Sequence, residues 1–345
     1  MIHEPTRMEK IIKFSNAATH FYFDSSIKQL SKIADKKSLV IITDENIFKA
    51  HTAKFKGCNV IALKPGEAYK VQATVDEVID TLIKMEADRK TVLVGVGGGV
   101  ITDLTGYIAS VYMRGLRFGF VPTSILALVD ASIGGKNGID VDRYKNLVGV
   151  IRQPSFILHD ISLLQSLPQS EWENGFAEII KHACIKDAAM FRQLQKESIT
   201  SYQEDSRKLS DLIRRNALIK TRVVQKDEFE KGERRLLNLG HTLGHALEKE
   251  YELMHGQAVA IGTTYACHIS EKITGFAQTE DVVALLEQYH LPTYASFNKQ
   301  KVFNSLKMDK KREQKEMNFV LLDKIGKGVV KAIPMKQLEK IISRL

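Results

Sequence analysis

The strongest constraint on the fold lies in the first 150 residues, where short apolar runs alternate with an amphipathic segment. Runs rich in Val, Ile and Leu at 38–43, 59–63 and 91–96 are too short for helices. Over 71–86, apolar residues recur at i, i+3 and i+4, which predicts an amphipathic helix. Continuous apolar strands that alternate with helices are typical of a parallel sheet covered on both faces. This region therefore predicts an α/β domain of the nucleotide-binding type.

Beyond residue 160 the pattern becomes helical. Helical spacing runs through the segments 171–186, 208–224, 242–251, 256–273 and 279–289, with few β-branched runs between them. A chain of 345 residues is long enough for two domains. We expect an α/β domain of the nucleotide-binding type with a parallel sheet over 1–160 and a mainly helical domain over 161–345. The active cleft should lie between the domains.

The composition excludes several classes of protein. With 44% hydrophobic and 26% charged residues, the chain is typical of globular proteins. No apolar stretch approaches the ~18–20 residues of a membrane span, so no membrane partner is expected. The first residues lack the apolar segment of a secretory signal, and the three scattered cysteines form neither a disulfide framework nor a metal motif. These features predict a cytoplasmic protein.

The net charge of +9 is concentrated near the C-terminus, where 12 basic residues face 5 acidic ones from residue 301 onward. A basic tail is one signature of nucleic-acid binding. Apolar residues are interleaved here, however, and no recognition motif accompanies them. We therefore expect a folded segment, a small anionic substrate and no nucleic-acid partner.

A glycine-rich segment, GVGGG at 95–99, joins a predicted strand to a predicted helix. Glycines let the backbone approach a pyrophosphate, whose charge is stabilised by free N–H groups and the helix dipole. Because Val100 occupies the third glycine position of G-x-G-x-x-G, an ordinary glycine-rich turn is the alternative. Asp44 and Asn46, at the end of the first strand, can reach a ribose or nicotinamide, or can cap a helix.

Three histidines and one glutamate have the character of metal ligands. His241 and His245 would share one face of a helix, and His255 follows after a short turn. Glu178 lies among apolar residues, where a buried carboxylate needs a partner. One glutamate with two histidines would leave an open coordination position, as catalytic zinc sites do. A hydrogen-bonded or surface role is the alternative for any single histidine, and we assign such a role to His182.

A further set of acidic, amide and cationic residues suits a substrate that carries both a phosphate and a carboxylate. The set comprises Asp130, Lys136, Lys145, Asn146, Lys220, Arg234, Lys310 and Lys311. Solvation at the surface is the alternative for each of these residues individually.

Taken together, these segments resemble the 3-dehydroquinate synthase family of the sugar-phosphate cyclase superfamily, over nearly the whole chain. The matching motifs, in family order, are GGGVITD, YMRG, PTSILALVDASIGGK, KNLVG, FAEIIK, RLLNLGHTLGHALE, HGQAVAIG and MDKK. The resemblance implies conversion of 3-deoxy-D-arabino-heptulosonate 7-phosphate to 3-dehydroquinate and phosphate in the shikimate pathway of aromatic amino acid biosynthesis. The implied enzyme is a carbon–oxygen lyase that works by transient NAD-dependent oxidation, phosphate elimination, re-reduction and intramolecular aldol closure.

The resemblance also implies that the domain over 1–160 binds NAD and that the domain over 161–345 carries the metal ligands and substrate-binding residues. Its NAD-binding positions match Asp44, Asn46, Glu67, Lys70, Gly98, Gly99, Asp103, Thr123 and Ser124, to which we add Lys145. Its ligands to a divalent metal, zinc or alternatively cobalt, match Glu178, His241 and His255. Its catalytic and substrate positions match Asp130, Lys136, Asn146, Lys220, Arg234, Asn238, His245 and Lys310, with Lys311 as the alternative to Lys310. Arg114, in YMRG, resembles the arginine that reaches the neighbouring subunit's site in a homodimer.

The chain also departs from the family pattern. It has PTS, GGKNGID and HGQAV where the family usually has PTT, GGKTGVN and HGEAV. Ser124 keeps a hydroxyl, Asn137 and Asp140 adjoin Lys136, and Gln257 replaces a carboxylate. The alternatives are another sugar-phosphate cyclase, which would generally lack Gly-Gly-Lys, and a metal-dependent polyol dehydrogenase, which needs no phosphate-binding cluster. An inactive NAD-binding protein would not need the intact metal ligands.

Overall fold

The structure is a computed structural model that describes residues 8–142, 144–298, 301–303 and 316–342. The chain divides into two compact units. The first comprises Met1–Glu171 and Ser206–Glu228, and the second comprises Trp172–Asp205 and Phe229–Leu345. The domain boundary expected at residue 160 stays a prediction. Within the described ranges, no helix combines the length and the apolar character needed to cross a lipid bilayer.

The structure contains the following strands and helices, each numbered in chain order. The strands are β1 Met8–Lys13, β2 Ala18–Phe23, β3 Leu39–Asp44, β4 Asn59–Leu63, β5 Val92–Gly97, β6 Arg117–Pro122, β7 Lys136–Val141, β8 Tyr144–Ile151, β9 Phe156–Leu158, β10 Glu316–Lys324 and β11 Lys327–Pro334. The helices are α1 Leu30–Ile33, α2 Glu45–Ala50, α3 Gln72–Lys84, α4 Gly99–Val111, α5 Gln169–Lys186, α6 Ala188–Leu194, α7 Ile199–Glu204, α8 Ser206–Lys226, α9 His241–Tyr251, α10 His255–Ile273, α11 Thr279–Gln288 and α12 Met335–Ile342.

The first unit contains a seven-stranded sheet with the order β1-β2-β9-β6-β5-β3-β4. Every neighbouring pair in it is parallel except β1 and β2, which are antiparallel. Strands β7 and β8 form a separate antiparallel hairpin. Connections through helices such as α3 and α4 allow successive strands to run in the same direction.

Strand β3 illustrates why the continuous apolar runs become central strands. Leu39 and Ile41 belong to one buried cluster. Val40 and Ile42 belong to a second buried cluster, because successive side chains point to opposite faces of a sheet. Both faces of β3 are therefore buried, as a parallel sheet in an α/β domain requires.

The second unit is mainly helical and also contains an antiparallel hairpin of β10 and β11. Helices α9 and α10 are joined by a short turn, and α10 packs against β10 and α11. Apolar residues of α10, including Val259, Ile261 and Ile269, are almost fully buried. The predicted fold class, a parallel-sheet α/β part followed by a mostly helical part, is confirmed.

Candidate active site

Strands β3, β5 and β6 of the parallel sheet end level with one another. The register pairs Thr43 with Val96 across β3 and β5, and Gly97 with Pro122 across β5 and β6. The sequence order reverses between β3 and β5, because β4 lies on one side of β3 and β5 lies on the other. Open α/β sheets bind ligands outside the carboxyl ends of the strands at such a switch point.

Most residues predicted to bind NAD lie at this edge or directly beyond it. Asp44 and Asn46 follow β3, Glu67 and Lys70 follow β4, Gly98, Gly99 and Asp103 follow β5, and Thr123 and Ser124 follow β6. Lys145 lies elsewhere, in the exposed strand β8. The structure thus brings nearly all of this set to one edge of the sheet, while their contact with NAD stays a prediction.

The glycine-rich turn places the start of α4 at the same edge. Gly98 is the N-cap of α4 and provides no side-chain hydrogen bond to the first turn. The N–H groups at such a helix start favour an anion. Asp44 is also an N-cap, because its Oδ1 accepts a hydrogen bond from the Ile47 N–H at 3.0 Å. The helix-cap role considered for Asp44 is therefore present.

Lys70 is the centre of a buried polar network beside α4. Its Nζ lies 2.6 Å from Asp103 Oδ2 and 3.8 Å from Glu67 Oε1, and donates to Asn146 Oδ1 at 2.5 Å. Burial opposes the charge of Lys70, but Asp103 and Glu67 raise its pKa above the ordinary value. Burial raises the pKa of Asp103 to about 6, against the opposite effect of Lys70. The network links three predicted NAD-binding residues to a predicted substrate residue.

A second ion pair joins α8 to the segment that precedes β7. Lys220 Nζ lies 2.8 Å from Asp130 Oδ1 and donates to the Asp130 carbonyl at 2.7 Å. Lys136 is the exposed first residue of β7, and it follows Gly134 and Gly135, which both have left-handed φ values of 106° and 72°. The structure therefore pairs Lys220 with Asp130, and it places Lys136 directly after a glycine turn.

Arg114 lies in a strained turn after α4. Met113, Arg114 and Gly115 have consecutive φ values of 48°, 65° and 122°. A residue other than glycine in such a conformation costs about 1–3 kcal/mol, and such strain persists where the surroundings impose it. The Arg114 side chain is exposed.

The three predicted metal ligands come together in the second unit. The candidate donor atoms of Glu178, His241 and His255 all lie within 4.8 Å of one another. Glu178 Oε1 lies 3.0 Å from His255 Nε2 and 3.5 Å from His241 Nε2. The other carboxylate oxygen of Glu178 pairs with Lys181, and both of these side chains are almost completely buried. The cluster therefore presents one carboxylate oxygen and two imidazole nitrogens to a common point.

The electrostatics of the cluster favour an ionised glutamate. Burial would raise the pKa of Glu178, but Lys181, His241 and His255 lower it well below the ordinary value. Burial and the charge of Lys181 lower the pKa of His241 well below its usual range. Burial opposes protonation of His255, yet Glu178 and Glu248 raise its pKa to about 9. Metal ligands must be deprotonated, so binding a metal here would release the His255 proton.

Two further contacts orient the histidines. His241 Nδ1 lies 3.0 Å from the Leu239 carbonyl, so an N–H at Nδ1 leaves the Nε2 lone pair facing Glu178. Glu248 Oε2 lies 3.7 Å from His255 Nδ1. Metal-binding histidines commonly have such a partner on the second ring nitrogen, which fixes the tautomer and the ring orientation. The residues present therefore fit a divalent metal of the kind that accepts nitrogen and oxygen ligands.

Two glycines make the convergence possible. Gly240, the N-cap of α9, has φ 78°, and a Cβ there would lie 2.5 Å from the Val259 carbonyl oxygen of α10. A Cβ at Gly256 would lie 2.3 Å from the Asn174 carbonyl oxygen of α5. Close approach of the backbones at these two points places His241 and His255 beside Glu178.

The remaining predicted substrate residues are placed in different ways. His245 is exposed, and its ring centroid lies 5.2 Å from that of His241. Asn238 Nδ2 donates to Glu230 Oε1 at 2.5 Å. Arg234 is buried in the 3-10 helix Glu233–Asn238. The alternatives Lys310 and Lys311 lie outside the described residues.

The sequence analysis missed Lys181 and Glu248. Lys181 lies three residues after Glu178 on the same helix face, a spacing that brings side chains together. Glu248 follows His245 by three residues on α9. A lysine one turn from a predicted ligand, among the apolar residues of α5, is a sequence signal for Lys181, whereas Glu248 lies in a helix with several charged residues and has no such signal.

Two family models and two curated relatives that match this chain carry the same family description. Models described as 3-dehydroquinate synthase N-terminal and C-terminal match residues 60–174 and 175–312. A 3-dehydroquinate synthase from Pyrococcus abyssi (strain GE5 / Orsay) is 39% identical over 287 residues, covering 83% of this chain and 85% of the relative. One from Campylobacter concisus (strain 13826) is 36% identical over 317 residues, covering 88% of this chain and 90% of the relative.

A solved structure supports the same fold. ValA, a 2-epi-5-epi-valiolone synthase from Streptomyces hygroscopicus subsp. jinggangensis 5008 with NAD⁺ and Zn²⁺ bound, superposes with a TM-score of 0.85 at 23% identity. The superposition covers 97% of this chain and 98% of ValA. Because the curated relatives match along most of their length at well over 30% identity, the chain belongs to the 3-dehydroquinate synthase family.

Proposed function

We propose that this chain converts 3-deoxy-D-arabino-heptulosonate 7-phosphate to 3-dehydroquinate and inorganic phosphate, and so acts as a phosphate-eliminating carbon–oxygen lyase. The observation that carries the proposal is the convergence of the donor atoms of Glu178, His241 and His255 within 4.8 Å. A cyclase of this kind needs both a metal-bound hydroxyl and a reversible oxidant, and the sheet edge around Gly98 offers a site for the second. The family membership supplies the substrate class.

The metal would be held by Glu178, His241 and His255, and we propose zinc, with cobalt as the alternative. When bound, a divalent metal lowers the pKa of a coordinated hydroxyl by several units, and each unit corresponds to about 1.4 kcal/mol. Lys181 holds the second carboxylate oxygen of Glu178, which directs the first oxygen to the histidines. ValA, whose fold this chain shares, has Zn²⁺ bound, which supports the proposal.

The dinucleotide would lie along the carboxyl edge of β3, β4, β5 and β6. When bound, NAD⁺ supplies a hydride acceptor that is regenerated before product release. The start of α4 at Gly98 and Gly99 would stabilise the pyrophosphate through backbone N–H groups. Lys70, fixed by Asp103 and Glu67, would donate to the adenosine ribose region.

The substrate would be bound by charged and amide side chains. Lys136 and Asn238 would bind the phosphate, Lys220 and Arg234 would bind anionic and hydroxyl oxygens, and Asp130 would orient a hydroxyl. His245 is placed beside His241 and is exposed, so it can take up the hydroxyl proton. The substrate's own phosphate would accept the neighbouring carbon-bound proton, since positioned bases act over hydrogen-bond distances.

We propose in addition that the protein is a homodimer in which Arg114 reaches the neighbouring site. Strand β8 supports this proposal, because its large apolar side chains are exposed: Tyr144 by 45%, Leu147 by 63% and Ile151 by 43%. Exposed apolar patches of this kind mark contact surfaces. Sedimentation of the full chain measures the oligomeric state directly, and a monomer at micromolar concentration would contradict this part of the proposal.

The decisive experiment incubates the purified chain with NAD⁺, Zn²⁺ and the heptulosonate phosphate. We expect stoichiometric release of inorganic phosphate and a cyclic product identified by NMR, with no net increase in absorbance at 340 nm. Accumulation of NADH without phosphate release would indicate a dehydrogenase and refute the proposal. Phosphate release only from a different sugar phosphate would indicate another cyclase. Glu178→Gln serves as the matched inactive control.

A further inference from the structure

The guanidinium of Arg152 contacts the backbone on both sides of the turn that contains Arg114. Its Nη1 donates to the Ala109 carbonyl at 2.8 Å, and its Nη2 donates to the Leu116 carbonyl at 2.7 Å. The guanidinium carbon also lies 5.2 Å from the centre of the Phe118 ring. A planar guanidinium can bind two acceptors at once and pack on an aromatic ring, which a lysine ammonium cannot do in the same way.

These two carbonyls flank the strained turn. Ala109 belongs to the last turn of α4, where carbonyl groups lack helical partners and a cation is favourable. Leu116 follows Gly115 and directly precedes β6. The turn between them contains the left-handed Met113 and Arg114, and its backbone closes through the hydrogen bond from the Leu116 N–H to the Ala109 carbonyl at 2.7 Å. Arg152 therefore bridges the two ends of the turn.

The backbone of Arg152 also holds the segment that presents Lys136. The Arg152 N–H donates to the Gly135 carbonyl at 2.8 Å, and the Arg152 carbonyl accepts from Asn137 Nδ2 at 3.0 Å. Gly135 and Asn137 are the two neighbours of Lys136 in the chain. These backbone bonds anchor Arg152, so its side chain approaches the Arg114 turn from a fixed position.

We propose that Arg152 is a positioning residue, whose side chain holds the left-handed turn so that Arg114 is directed at the substrate phosphate. This inference rests on the proposed function of Arg114. Among the residues that the structure describes, the guanidinium of Arg152 donates hydrogen bonds only to the Ala109 and Leu116 carbonyls, so it acts through the turn. Without it, the turn would lose the two hydrogen bonds that offset its backbone strain, and Arg114 would sample other directions.

The test is a double-mutant cycle in the full chain between Arg152→Met and Arg114→Ala. Arg152→Met should raise the KM for the heptulosonate phosphate about tenfold, with a smaller change in kcat. This is the effect expected when the charge-assisted hydrogen bond from Arg114 to the substrate phosphate is lost. In the Arg114→Ala background it should add no further rise in KM. Arg152→Lys should recover part of the loss. Arg117→Met is the matched control and should behave as wild type, because Arg117 is exposed and makes one long contact, to the Ile33 carbonyl at 3.4 Å.

Hydrogen exchange gives a readout that does not depend on turnover. The Gly115 N–H donates to the Tyr112 carbonyl at 2.9 Å within the turn, so its exchange and that of Leu116 should accelerate in Arg152→Met but not in Arg117→Met. Unchanged exchange, an unchanged KM, or an equal rise in KM in both backgrounds would overturn the inference. If the wild-type chain forms no product, the proposed function fails, and the exchange rates alone then decide whether Arg152 positions the turn.

Discussion

The buried pair of Lys181 and Glu178 offers a sharp test of how the candidate metal cluster is stabilised. The side chains are 1% and 0% exposed, so neither charge can be solvated if its partner is removed. Replacing one member of a buried ion pair costs about 3–5 kcal/mol, because an uncompensated charge remains in a low-dielectric environment. Protonated His255 still lies 3.0 Å from Glu178 Oε1, so Lys181→Met should lower the free energy of unfolding by about 3 kcal/mol, the lower end of this range, at pH 7.5 with metal removed by a chelator.

The same helix contains a matched control. Lys186 pairs with Glu233 at 2.5 Å, but their side chains are 28% and 29% exposed. A partly exposed pair contributes at most about 1 kcal/mol, so Lys186→Met should lower the free energy of unfolding by no more than that. Lys181→Met combined with Glu178→Gln should recover much of the loss, because neither charge then remains. Urea denaturation measures all four proteins, and equal losses for the two lysine variants would refute the reasoning from burial.

Three further predictions concern the active site and the core. His241→Ala should remove bound metal and turnover while circular dichroism stays unchanged; retained metal with full activity would contradict the ligand assignment. Mixing the impaired Arg114→Ala protein with inactive His241→Ala should raise turnover above that of Arg114→Ala alone through hybrid dimers, whereas no gain after subunit exchange would contradict a role for Arg114 in the neighbouring site. His159 is buried, its ring nitrogens have no hydrogen-bond partner in the described structure, and burial lowers its pKa to about 3. As the pH falls below about 6.5, His159 binds a proton in the unfolded chain but not in the folded chain, so this residue alone should lower the stability by about 1.4 kcal/mol per pH unit. His159→Phe should remove that contribution and so make the decrease in stability from pH 7.5 to pH 5 smaller than in the wild type, and it should stabilise the protein by about 1–3 kcal/mol; thermal unfolding at both pH values measures both effects.

The central strands and long helices were predictable because each has a strong local signal. The run predicted at 59–63 is strand β4, and the helix predicted at 71–86 is α3, Gln72–Lys84. The missed strands have weaker signals. Strand β9 has only three residues, β6 contains Gly119 and ends at Pro122, and β8 exposes most of its side chains. Strands β6 and β9 form through pairing with strands distant in sequence, whereas β8 pairs with the adjacent β7, and local periodicity reveals none of them.

The candidate site could be predicted where residue type and spacing match what metal coordination or phosphate binding requires. The approach of Glu178 to His255 needed the family resemblance, because it depends on backbone contacts between helices that are far apart in the chain. Lys181 was missed because a lysine in isolation is usually a solvated residue, and its 1% exposed fraction establishes it as part of the cluster. Arg152 was missed for a related reason, since its partners are backbone carbonyls that have no sequence signature.

The departures from the family pattern have local structural explanations. Gln257 Oε1 accepts a hydrogen bond from the Met254 N–H at 3.1 Å, so it caps α10 as a glutamate at that position would. Asp140 Oδ1 accepts from the Asn146 N–H at 2.6 Å, and Asn137 Nδ2 donates to the Gly135 carbonyl at 2.7 Å. The carboxylate of Asp140 thus stabilises the backbone that presents a predicted substrate residue. Because these side chains bind backbone groups of their own loops, they shape the site and give no reason to assign a different substrate.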